Sequence, residues 1–66
     1  MKDYQQRIVD ERSQLNGRLS RLWHFIDESN MFSELPESEK DLLRKQYAVM
    51  LAYSAILDER TKLFES

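Results

Sequence analysis

Residues 42–64 read LLRKQYAVMLAYSAILDERTKLF. Two apolar columns run through this stretch in steps of seven: Leu42, Val49, Ile56, Leu63 and, beside it, Leu43, Met50, Leu57, Phe64. A seven-residue repeat keeps an apolar stripe on one side of a helix. One column suits contact with one partner helix. Two adjacent columns make a face wider than a single partner covers, and the excess width predicts self-association.

Size and composition point the same way. A chain of 66 residues forms one small core, and such cores lean on disulfides, metals or oligomerisation. There is no cysteine, which removes disulfides and thiolate metal sites, and one histidine, His24, so no protein metal cage or cofactor is expected. A third of the residues are charged, with a single glycine (Gly17) and a single proline (Pro36), a composition typical of long helices. No apolar run reaches the roughly 20 residues that span a bilayer. The opening MKDYQQRIVDERSQL lacks the apolar core of a secretion signal, so a cytoplasmic setting is expected. The net charge is −2 with the signs interleaved, which disfavours nucleic acid held by bulk electrostatics. A small anion, held by a few arginines, remains compatible.

Ahead of the double column, Tyr4, Ile8, Leu15, Leu19, Leu22 and Ile26 recur at helical spacing, with Arg12 standing where an apolar rung is due and Trp23 and Phe25 widening the stripe. The spacing predicts one domain over residues 1–66: helix 1 over 3–29, a turn over 30–35, and helix 2 over 36–64. Ser29 and Asn30 favour a turn, with asparagine able to take the left-handed region. Pro36 followed by Glu37, Glu39 and Asp41 is a proline-led acidic helix start. Phe32 and Leu35 are placed to plug the end of the core. The expected fold is all-α: an antiparallel two-helix hairpin assembling into a homo-oligomeric, coiled-coil-like bundle, a four-helix dimer at the smallest. Gly17 is either a tolerated surface glycine or a point of close approach. Leu42, Val49, Ile56 and Leu63, with Trp23 as an aromatic anchor, are the candidate oligomer interface.

Polar residues interrupt the apolar faces. Helix 2 carries Gln46, Tyr53 and Arg60 between the rungs of its first column, and helix 1 carries Arg12. Three roles fit them. They fix register between chains, with Asp10, Glu11, Asp58 or Glu59 answering the arginines. Alternatively, the arginine stems cover apolar surface while their heads reach water. Or they line a ligand pocket at a subunit boundary, with guanidinium forks on phosphate or carboxylate and tyrosine stacked on a ring. Catalysis has little support: no nucleophile–base set, no glycine-rich phosphate loop and no metal spacing occurs, so an enzyme is not expected.

The run Tyr4-Gln5-Gln6-Arg7-Ile8-Val9-Asp10-Glu11, then Leu22 with Phe25-Ile26, Phe32, Leu35, Gln46, Met50, Tyr53, Arg60 and Phe64 resembles a widespread family of small phage and prophage proteins. The resemblance implies a phage-encoded accessory protein in a bacterial cell and carries over no site residue. Small helical phage proteins that oligomerise and sequester nucleotide signals of bacterial immunity provide the analogy for function. Two partner classes follow beyond the chain itself. One is a small nucleotide ligand, with Arg12, Gln46, Tyr53 and Arg60 as its candidate contacts. The other is a host bacterial protein bound through an exposed helical face.

Overall fold

The computed structural model describes residues 2–65. The order is α1 (Asp3–Glu28, 26 residues), α2 (Asn30–Ser33, 4 residues) and α3 (Glu37–Glu65, 29 residues). No strand occurs among the described residues. The first helix starts where Lys2 is extended; the Gln5 side-chain oxygen accepts the Lys2 backbone N–H at 3.0 Å, and Asp3 lies in the positive first turn.

The connection differs from the expected turn. Ser29 leaves helical geometry (φ −85°, ψ 129°), and its hydroxyl oxygen accepts the Met31 N–H at 3.1 Å. That cap restarts a helix at once, so Asn30–Ser33 coils into one turn, closed by the Ser33 hydroxyl donating to the Asn30 carbonyl at 2.7 Å. No described residue other than glycine takes a positive φ, so the break is made by an extended serine and not by a left-handed asparagine. Pro36 stands one residue before α3 instead of opening it, and its carbonyl accepts the first intrahelical bond, from Lys40 at 3.1 Å. Phe32, on α2, is buried. It meets Phe25 edge-on at 6.0 Å, while Lys40 and Arg44 lie over its ring at 6.0 and 5.4 Å.

Three contacts fix the direction of the long helix pair. Arg12 meets Asp58, Asn16 accepts from the Ser54 hydroxyl at 2.8 Å, and the Trp23 and Tyr47 rings lie 5.6 Å apart. Each advance along α1 is matched by an equal retreat along α3, so the two run in opposite directions. Ile8, Leu15 and Leu19 of α1 are buried with Leu57 of α3, and Tyr47, Met50 and Phe64 pack against them. The second column, Leu43, Met50, Leu57 and Phe64, is therefore the inner one. Its alternate rungs are Tyr47, Ser54 and Thr61. Thr61 is fully buried, and its hydroxyl donates to the Leu57 carbonyl at 2.8 Å, which satisfies it within its own helix. Tyr4, expected on the inward stripe, is exposed: it stands level with the last turn of α3, where little helix remains to cover it.

The result is a rod of 45 × 16 × 15 Å with a radius of gyration of 14.8 Å, against about 11 Å for a compact domain of this length. It exposes 5118 Å², whereas a compact monomer of 8.0 kDa would expose about 4,450 Å².

Two substitutions test the packing by urea unfolding. Leu57→Ala should cost about 2–5 kcal/mol, because it empties a fully buried site. Gly17→Ala should gain about 1 kcal/mol, since a Cβ there meets only the Arg21 guanidinium at 3.6 Å in an ordinary helical backbone. A loss at Gly17 would instead reveal a second helix packed against it.

Candidate binding face on α3

With the inner column against α1, the other column faces water. Leu42, Val49, Ile56 and Leu63 are 59%, 68%, 54% and 82% exposed. Between their rungs stand Gln46, Tyr53 and Arg60, so residues 42, 46, 49, 53, 56, 60 and 63 form a complete second seam at alternating steps of four and three. Tyr53 is 39% exposed, and Gln46 and Arg60 are exposed. The Gln46 amide has only a weak contact, 3.9 Å from the Met50 sulfur, and no ion pair to Arg60 forms among the described residues. On the far flank of the column Lys45, Ala52 and Glu59 recur every seven residues, all exposed. This seam offers apolar surface, a phenol, an amide and a guanidinium along one line about 32 Å long.

The structure separates two of the expected participants from that line. Arg12 reaches Asp58 of its own chain at 3.4 Å, an ion pair within the chain between two residues expected to meet charges across chains. Asp58 is two residues from both Ile56 and Arg60, and two residues along a helix is about 200° of rotation, so Arg12 meets α3 on the side away from the outer seam. The Arg12 guanidinium thus spans from α1 to a half-exposed carboxylate on α3. Trp23 shares the flank of α1 that holds Arg12 and Asn16, as steps of four and seven dictate, and packs on Tyr47. It is exposed but does not join the Leu42–Leu63 column. Gln46, Tyr53 and Arg60 remain together, on one helix and one face.

Other polar groups are accounted for locally. His24 pairs with Glu28 across one turn at 3.1 Å in solvent. Among the described residues no three His, Asp or Glu side chains come together, and no cavity opens in the single chain. Among the described residues no helix is long and apolar enough to cross a membrane. Thr61 and the Asn16–Ser54 bond escaped the sequence analysis. The signal was present, since Ser54 and Thr61 continue the steps of three and four from Met50 and Leu57.

Known proteins place the chain in one group: the Sequestin family model matches residues 2–63. No curated protein and no solved structure matches it.

The Arg12–Asp58 pair, 31% and 51% exposed, should contribute less than about 1 kcal/mol. Asp58→Asn should therefore shift the urea midpoint only slightly, and added salt should erase the difference. A large loss would show that Arg12 is sealed from water in solution.

Proposed function

The chain belongs to the Sequestin family, and we propose that it is a non-enzymatic, phage-encoded accessory protein that sequesters a nucleotide-derived signal of bacterial defence in the host cytoplasm. It acts as a homo-oligomer of helical hairpins, with its ligand held at the boundaries between subunits. The family's name supports a sequestering role. The observation that carries the chemistry is the outer seam of α3, where Gln46, Tyr53 and Arg60 interrupt an exposed apolar column.

Each group suits part of such a ligand. The Arg60 guanidinium offers a fork of donors to phosphate oxygens. The Tyr53 ring offers a face to a base, and the Gln46 amide both donates and accepts. The apolar rungs exclude water from these contacts and so strengthen them. One chain has no cavity among its described residues, so enclosure requires a second.

Calorimetry of the intact protein against cyclic nucleotides and cyclic ADP-ribose derivatives tests this. One class should bind, and Arg60→Ala should weaken it about 10-fold or more, the loss expected for a hydrogen bond to a charged group. Arg12→Ala, on the other side of α3, should leave the affinity nearly unchanged. No heat from any member of the panel contradicts sequestration of such a signal. A host protein retained by the immobilised chain under the same conditions would favour an adaptor or inhibitor working through the exposed helical face.

A further inference from the structure

We infer that the outer seam of α3 is covered by α3 of a second copy of this chain, lying antiparallel about a two-fold axis near Ala52 and Tyr53. The sequestration proposal needs a subunit boundary; this inference supplies the boundary and the residues that meet across it.

The seam reads almost the same from either end. From Leu42 it runs apolar, Gln46, apolar, Tyr53, apolar, Arg60, apolar. An isologous two-fold interface needs a self-complementary surface of this kind. About an axis near Ala52 and Tyr53, Leu42 lies opposite the partner's Leu63 and Val49 opposite the partner's Ile56. Tyr53 approaches its own copy. Gln46 lies opposite the partner's Arg60, an acceptor facing a donor. A two-fold axis normal to the plane of the two helices also keeps each flank beside its own copy. Lys45 then faces the partner's Glu59, with Ala52 small enough at the centre for close approach.

Charge selects this orientation over its alternative. Parallel pairing in register would set Arg60 against Arg60, Lys45 against Lys45 and Glu59 against Glu59, and would align the two helix dipoles. The antiparallel arrangement turns every one of these like pairs into a complementary one. The area is of the right order as well. The chain exposes 5118 Å², an excess of about 650 Å² over a compact protein of its mass, close to the roughly 800 Å² per partner that a standard interface buries. Two equivalent corners result, each built of Gln46 from one chain and Arg60 from its partner, on either side of the tyrosine pair. Neither corner is complete in one chain.

The absence of native cysteine makes the test direct. Ala52→Cys, near the axis, should oxidise to a covalent dimer, because only there do identical residues approach within the roughly 7 Å a disulfide tolerates. Leu42→Cys and Leu63→Cys should each stay uncrosslinked alone and link to each other when mixed. Crosslinking of Leu42→Cys alone overturns the antiparallel pairing. Sedimentation of the unmodified chain at about 10 μM should give a dimer or a multiple of dimers, and a folded monomer overturns the interface. Val49→Glu should raise the dissociation constant at least about 100-fold by placing a charge in the seam. The nucleotide titration reads separately: a dimer that binds no nucleotide refutes sequestration and leaves this interface standing, while a monomer that binds one refutes this interface and the placing of the ligand at a subunit boundary, leaving only the binding of the nucleotide itself.

Discussion

Everything in this molecule depends on α3 having two apolar seams and α1 being able to cover one. The inner seam closes on Ile8, Leu15 and Leu19 and makes a core only two helices deep. The outer seam keeps Leu42, Val49, Ile56 and Leu63 in water. Each of these side chains would gain about 1.5–3 kcal/mol if fully buried. A core of this size yields only about 3–5 kcal/mol, so the outer seam holds a reserve comparable with the stability of the whole fold. The rod shape follows from the same division, because a flat pair of long helices cannot wrap its own outer face.

The residues between the apolar rungs explain which seam faces which way. Inside, the alternate positions are Tyr47, Ser54 and Thr61. The threonine hydroxyl bonds to its own helix and the serine to Asn16, so neither is buried unpaired. Outside, the corresponding positions are Gln46, Tyr53 and Arg60. A guanidinium facing α1 across a two-helix core would have to be desolvated without a partner, at a cost of several kcal/mol. Put outward, it stays hydrated until another molecule brings it an acceptor. The same choice that stabilises the single chain leaves a guanidinium, a phenol and an amide on the surface most in need of cover.

Much of this was legible from the residues alone. The two seven-residue columns, the acidic start after Pro36 and the plug at Phe32 each rest on local spacing or chemistry and are present in the structure. The assignment of the columns was not legible from hydrophobicity, because both are equally apolar; the size and charge of the intervening side chains decided it. The turn is not legible in composition, because Ser29 both ends one helix and caps the next. A one-dimensional pattern gives levels along the rod but not the side of α3 on which a partner's residue arrives, which is why it places Arg12 and Trp23 with the seam. That side is fixed only by the α1–α3 contacts at Asp58, Ser54 and Tyr47.

The central claim is that the outer seam of α3 is covered by another copy and that this cover contributes to the stability of the fold. The dependence of the thermal midpoint on protein concentration tests it most directly, since association coupled to folding stabilises by mass action. The midpoint should rise steadily as the concentration is raised about a hundredfold. A midpoint that stays constant over that range would show that the two-helix rod stands alone, with its outer seam open to water, and would contradict the account.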